Sequence, residues 1–227
     1  MGGHPAGKMS RTPESAFLII YLGRLPDYFD FWAKSCEPNC EHVHWFIYTD
    51  QIKEKSEYNP AVTLVPLSFE TLCRQVRQEL GIQIPEHHTR IVCDCRLLLY
   101  PARCRHEDLD QFDFIGYSDL DVIYGDIKRF LPENMNQYSL IAGHGGRPCG
   151  PFTLFNRKYL RDICSHETVK TFFEQDPGSS IYHSDGYREK DSEFKPMTGN
   201  TEKDQLGQAL DFAHLDESEQ VVQIAQR

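Results

Sequence analysis

The stretch Phe112–Ile127, F-D-F-I-G-Y-S-D-L-D-V-I-Y-G-D-I, decides how the rest of the chain is read. Phe112 to Tyr117 is aromatic and apolar and predicts a strand. It runs directly into Ser118-Asp119-Leu120-Asp121. Two carboxylates two residues apart on extended backbone point to the same side. Their repulsion is costly unless a cation sits between them or one is protonated. Mg²⁺ and Mn²⁺ take oxygen ligands, keep waters, and are commonly shared with substrate phosphates. Asp119 and Asp121 are therefore candidate metal ligands.

Working outward, apolar runs alternate with helical patterns. Phe17 to Leu22 is a continuous apolar run, as in a strand buried on both faces, and it ends at Gly23. Aromatic spacing predicts a helix over Asp27 to Ser35, which Glu37-Pro38-Asn39 breaks. Val43 to Thr49 predicts a second strand, ending at Asp50, and Val62 to Leu67 a third. Ser68 has the character of an N-cap for a helix through Leu80, with Gly81 just past its end. Further helices are expected over Thr89 to Cys104, where a turn running into a helix is the other reading, Asp126 to Leu131, Arg157 to Phe173 and Gln205 to Phe212. Further strands are expected at Tyr138 to Ala142, with a Gly-rich turn at Gly143 to Gly146 after it, at Phe152 to Phe155 and, weakly, at Val221 to Ile224.

This alternation predicts an α/β protein with a mixed, largely parallel sheet flanked by helices. Residues 1–15 read as a flexible leader and 16–227 as one domain, with 176–203 a long polar loop. In such sheets ligands bind beyond the carboxyl ends of the strands. The candidate binding residues are thus Tyr21, Leu22 and Gly23, then Asp50, then Ser118 beside Asp119 and Asp121.

The chain has 227 residues, 24 basic against 34 acidic, for a net charge of −10. That balance argues against nucleic acid as the partner, because phosphate backbones want a basic face. No apolar run approaches the roughly 20 residues of a membrane-spanning helix, and no secretory signal is evident, so a cytoplasmic location is expected. Eight cysteines are too few for a disulfide scaffold. Cys36-x-x-x-Cys40 and the set Cys93, Cys95, Cys104, His106 match no standard zinc spacing, and the thiols are expected to be reduced and mostly buried.

Four motifs in order carry a resemblance. Phe112–Ile127 resembles the signature of a widespread, largely uncharacterised family grouped with the nucleotide-sugar glycosyltransferases, similar in outline to GT-A-fold enzymes with a D-x-D motif. Phe17 to Gly23 with Leu25-Pro26-Asp27-Tyr28-Phe29 resembles its first strand and helix. Cys93-Asp94-Cys95-Arg96 resembles a Cys-Asp-aromatic-basic element, with Cys95 where relatives have an aromatic and Leu97 where they have Pro. Gly150 to Phe155 resembles its next core strand.

The resemblance implies a GT-A-like fold and transfer of a sugar from a nucleotide-diphosphate donor, a UDP-sugar favoured. The acceptor, a glycan, lipid or protein, is not identified. Asp119 and Asp121 would hold Mn²⁺ or Mg²⁺ against the diphosphate. Tyr21 to Gly23 and Asp50 would line the nucleoside pocket, and Asp94 and Arg96 would reach ribose or phosphate. For Asp94 and Arg96 a structural ion pair is the competing reading. Asp204-Gln205 resembles a late Asp-Gln element that positions the acceptor or acts in catalysis, so Asp204 is the catalytic candidate, with an N-cap as its other reading.

Two alternatives remain beside transfer. One is a catalytically inactive nucleotide- or carbohydrate-binding relative on the same fold. The other is an Asp-metal phosphoryl or nucleotidyl transferase. Among the remaining polar residues, Asp126 reads as a helix cap, Asp108-Leu109-Asp110 as a solvated turn, and His144 as a loop histidine.

Overall fold

The computed structural model describes residues 14–84, 95–142, 151–165 and 220–223. The eight described strands form one mixed sheet. They are β1 (Ser15–Ile20), β2 (Val43–Thr49), β3 (Ser56–Asn59), β4 (Val62–Pro66), β5 (Phe114–Ser118), β6 (Tyr138–Ala142), β7 (Phe152–Asn156) and β8 (Gln220–Gln223). Their order is β3-β4-β2-β1-β5-β7-β6-β8. The centre, β4-β2-β1-β5, is parallel, while β3, β7 and β6 are antiparallel to β4, β5 and β7 respectively. The helices are α1 (Phe29–Cys36), α2 (Phe69–Leu80), α3 (Leu99–Glu107) and α4 (Arg157–Ser165).

The continuous apolar run of β1 is explained by its place in the centre, where all six residues are buried. Its side chains alternate between two cores. Ala16, Leu18 and Ile20 pack with Phe46, Tyr48, Ile115 and Phe155 under α2, α3 and α4. Phe17 and Ile19 pack with Trp45, Ile47, Phe114 and Leu154 under α1. The result is the three-layer α/β arrangement that the alternating pattern implies.

Local signals held where they rest on backbone chemistry. Ser68 Oγ accepts the N–H of Thr71 at 3.1 Å, and Gly81 adopts φ 71° with its N–H on Arg77 O. Only glycine takes that left-handed geometry without cost. On α3, Arg103 and Glu107 form a buried two-pronged pair, Nε to Oε2 at 3.1 Å and Nη2 to Oε1 at 2.5 Å. Gln75 of α2 and Tyr48 of β2 complete its polar contacts.

Several boundaries differ from expectation. Ser15, expected in the leader, is the first residue of β1. β5 starts at Phe114, because Leu109–Gln111 form a 3-10 turn and Phe112 closes it. The helix expected at Asp126 to Leu131 is only a 3-10 turn, Ile127–Arg129. Within the span Thr89 to Cys104, residues 95–98 are 3-10 and α3 begins at Leu99, extending to Glu107. β3 was not foreseen: its sequence is Ser-Glu-Tyr-Asn, and it exists by pairing with β4 at the sheet edge. The helix expected around Gln205 to Phe212, the loop 176–203 and the turn at Gly143 to Gly146 lie outside the described residues.

The topology also locates a switch point. From β1 the chain moves outward to β2 and β4, then returns to place β5 on the other side of β1. Strand order reverses there, and the carboxyl ends of β1, β2 and β5 share one edge. Ligands of open α/β sheets bind at such switch points.

Candidate functional site

Phe17 of β1 stands beside Gly116 of β5 in parallel register. Carried forward, that register sets Asp119 level with Ile20, at the edge where Tyr21 to Gly23 leave β1. Across β1 on the other side, β2 ends at Thr49 and delivers Asp50. Asp50 Oδ1 accepts the backbone N–H of Gly23 at 2.8 Å and the side-chain amide of Gln51 at 2.8 Å. These two donors hold its carboxyl below the usual carboxylate range, the Gln51 amide first. Gly23 has φ 90°, a conformation that favours glycine. The turn after β1 and the residue after β2 are thereby tied together.

Asp119 and Asp121 follow β5 directly. Arg96 Nη1 lies 2.6 Å from Asp119 Oδ1, and both side chains are largely shielded, at 17% and 26% exposure. The Arg96 guanidinium also lies over the Tyr117 ring, 5.9 Å from its centroid. Asp121 is exposed, and no ion pair or hydrogen bond to its side chain is found among the described residues. Leu120 between them is buried. The two carboxylates are thus in different states, one neutralised by an arginine and one open to solvent.

Leu120 and Asp121 lie in a turn rather than on extended backbone, and the donor set is one hard oxygen ligand facing solvent, Asp121, and one held by Arg96, Asp119. It fits a divalent cation that completes its shell with waters and phosphate oxygens. It does not fit a closed, all-protein site, since no group of three His, Cys, Asp or Glu gathers for a metal among the described residues. Cys36, Cys73, Cys95, Cys104 and Cys164 are buried and unbridged, and Cys40 is exposed and unbridged. Burial pushes the Cys36 thiol well up, which keeps it protonated.

Ser118 is fully buried, and its hydroxyl faces inward. It donates to Pro151 O at 2.9 Å and accepts from the Tyr124 hydroxyl. It fastens β5 to the segment before β7 and to the loop that follows the aspartates. Tyr124 is the anchor of that loop. Its ring sits among Trp45, Phe17 and Trp32, with centroids 5.0, 6.3 and 6.4 Å away. Burial pushes its phenol up, so it remains a hydroxyl donor.

Two residues of the first helical segment hold the same loop by its backbone. Ser35 Oγ accepts the N–H of Tyr124 at 3.2 Å. Asn39, in a 3-10 turn after α1, accepts from Ile127 N–H and donates to Gly125 O. Sequence reasoning did not single out Ser35, Asn39 or Tyr124. Tyr124 lies in the signature itself, so it carried a signal, whereas Ser35 and Asn39 are ordinary helix-end residues until the fold brings them 86–89 residues along the chain.

Asp126 does occupy the cap position of the 3-10 turn, but its side chain makes no capping bond. It pairs with Arg129 at 3.0 Å, and Asn39 takes the N–H of Ile127 in its place. Asp108 and Asp110 are more than a solvated turn. Asp108 closes α3 with φ 57°, and Asp110 accepts from Tyr100 at 2.7 Å and Arg157 at 3.4 Å. Asp94, His144 and Asp204 lie outside the described residues.

No helix among the described residues is long and apolar enough to cross a membrane. Residues 17–195 match the model of a family of unknown function, DUF6625. No curated protein matches the chain.

Proposed function

The chain belongs to the DUF6625 family, and we propose that it is a metal-dependent glycosyltransferase of GT-A type, moving a sugar from a nucleotide-diphosphate donor to an acceptor. The observation that carries this reading is the meeting of three features at one sheet edge. They are the Asp119/Asp121 pair after β5, Arg96 in contact with Asp119, and the Asp50–Gly23 tie after β1 and β2. A diphosphate needs positive charge, and a nucleoside needs hydrogen-bonding groups a short distance away. This edge offers both at the switch point of the sheet.

In this reading Asp119 and Asp121 are the ligands of Mn²⁺ or Mg²⁺. When bound, that cation offsets diphosphate charge and stabilises the departing nucleotide. Arg96 supplies a fork of N–H donors suited to phosphate oxygens. Tyr21, Leu22, Gly23 and Asp50 line the nucleoside side, and a UDP-sugar is the favoured donor. Ser118 acts indirectly, by fastening Tyr124 and so fixing where the aspartates emerge. Asp94 and Asp204 keep the roles the resemblance gives them, ribose or phosphate contact and acceptor-side acid respectively. Among the described residues the cysteines are unbridged and mostly buried, which supports a reducing compartment, the cytosol.

The test is thermal melting with UDP or GDP, each with and without Mn²⁺, on the native chain and Asp121→Asn. Asp121 is exposed, so the variant is expected to fold normally. Ligand at ~100 times its Kd adds about 2.7 kcal/mol, a readable shift in Tm. A nucleotide-specific shift that needs Mn²⁺ and disappears in Asp121→Asn supports the site. A shift retained in the variant removes the aspartates from it. Product analysis then separates the activities. Release of a nucleoside diphosphate marks sugar transfer, release of pyrophosphate or phosphate marks the nucleotidyl or phosphoryl alternative, and binding without turnover marks a binding module.

A further inference from the structure

We propose that Arg96 makes cation binding at this edge conditional on an anionic co-ligand, holding Asp119 closed until a diphosphate draws the guanidinium away. The inference rests on the reading of Asp119 and Asp121 as cation ligands and adds a coupling device to it.

The geometry of Asp119 is the starting point. Its Oδ1 is already occupied by Arg96 Nη1 at 2.6 Å, in a pair that is largely shielded from water. A bare divalent cation would have to displace a positive group from that oxygen, or bind beside it against its charge. Asp119, Asp121 and Arg96 together carry a formal charge of −1, where the two carboxylates without the arginine would offer a dication −2. Asp121 alone is open, and a single exposed carboxylate binds such a cation weakly.

An arriving diphosphate changes the balance. It brings its own negative charge and oxygens that match the planar guanidinium fork, so Arg96 gains an alternative to Asp119 of at least equal quality. The Tyr117 ring under the guanidinium supports the side chain through that exchange, since contact with the ring face does not depend on which anion is held. Asp119 would then be free to join Asp121 as a ligand of the cation, which would offset the charge of the diphosphate. Cation and diphosphate should therefore bind synergistically, each raising the affinity of the other by the same factor. One consequence is protective. The cation would not sit at the edge without a nucleotide, and hydrated metal would not be presented to other anions.

The experiment is Mn²⁺ titration followed by electron paramagnetic resonance, on the whole chain, without and with saturating UDP. It is run for the native protein, Arg96→Gln and Arg96→Lys, with thermal melts to establish that each is folded. The native chain is expected to bind Mn²⁺ weakly alone and at least about tenfold more tightly with UDP, within the usual range of coupling between sites. Arg96→Gln is expected to bind Mn²⁺ alone several-fold more tightly than the native chain, while UDP binding weakens and the synergy shrinks. Arg96→Lys keeps the charge beside Asp119 and is expected to keep Mn²⁺ binding weak.

Additive binding of Mn²⁺ and UDP to the native chain overturns the proposal without any variant. So does Arg96→Gln with Mn²⁺ affinity equal to or below that of the native chain. If the native chain binds neither Mn²⁺ nor UDP, the glycosyltransferase reading falls and the inference with it. If it binds both but Arg96→Gln changes nothing, only the inference falls.

Discussion

Asn39 Oδ1 accepts the backbone N–H of Ile127 at 2.8 Å, joining the end of the first helical segment to a turn 88 residues later. The same amide donates through Nδ2 to Gly125 O at 2.9 Å. One side chain thus satisfies a donor and an acceptor in the Tyr-Gly-Asp-Ile turn that no strand or helix ladder reaches. Because Asn39 is buried, water does not readily take its place. Buried groups left unpaired cost about 1–3 kcal/mol each. Asn39→Ala is expected to cost about 2–4 kcal/mol by urea denaturation, with the loss concentrated in the loop after the aspartates. Cleavage by a protease should move to the segment between Asp121 and Leu131. A loss below about 0.5 kcal/mol, within the scatter of ordinary surface substitutions, would show that the clamp is not holding the turn.

Gly116 lies in the middle of β5 opposite Leu154 of β7. A Cβ at this position would stand 1.8 Å from the Thr153 carbonyl oxygen and 2.9 Å from Leu154 Cα. Both neighbours are backbone, so no side chain can rotate away. Gly116→Ala is expected to separate β5 from β7 and cost about 3 kcal/mol or more, at or above the upper end for overpacking. Thermal melting and the yield of folded protein read this out. Since β5 also delivers Asp119 and Asp121, any surviving folded fraction should lose Mn²⁺-dependent nucleotide binding.

His44 on β2 is packed between Phe46 and Phe112, with ring centroids 4.7 and 6.5 Å away, and its Nε2 is 2.8 Å from Thr63 Oγ1. Burial, helped by Lys55, lowers its pKa from 6.5 to about 4. The unfolded chain takes up this proton as pH falls through 6.5, while the folded chain resists until about 4. The His44 contribution to stability is therefore fully present above pH 6.5 and is lost progressively down to about 4. Urea midpoints measured between these limits should fall with acidity. His44→Gln should flatten that part of the profile, whatever it does to the absolute stability. An unchanged slope in the variant would place the acid sensitivity elsewhere.

Much of this was legible in the sequence for reasons that are local. The unbroken apolar run Phe17 to Leu22 could only be a strand covered on both faces, and β1 is that strand. Ser68 and Gly81 bounded α2 because a hydroxyl caps free N–H groups and a glycine takes left-handed backbone. Val43 to Thr49 and Tyr138 to Ala142 were read to the residue. The position of Asp119 and Asp121 just past a buried strand followed from the same reasoning. Each of these depends on neighbours a few residues away, so composition and spacing suffice.

Other features depend on partners far along the chain. β3 is polar and has no strand signal of its own; pairing with β4 makes it a strand. The Asp126 segment is a single 3-10 turn whose first free N–H, that of Ile127, is taken by Asn39 rather than by the Asp126 side chain. The need for glycine at 116 arises from a carbonyl on β7 that local sequence cannot reveal. The sequence by itself determined the α/β alternation, the central strands and where the two carboxylates leave the sheet, since these follow from side-chain period and backbone chemistry. Tertiary structure alone decided that Ser118 turns inward to Tyr124, that Asp50 holds Gly23, and that Arg96 closes on Asp119 while Asp121 stays open. Those relations are distances between elements, and only the packed sheet sets them.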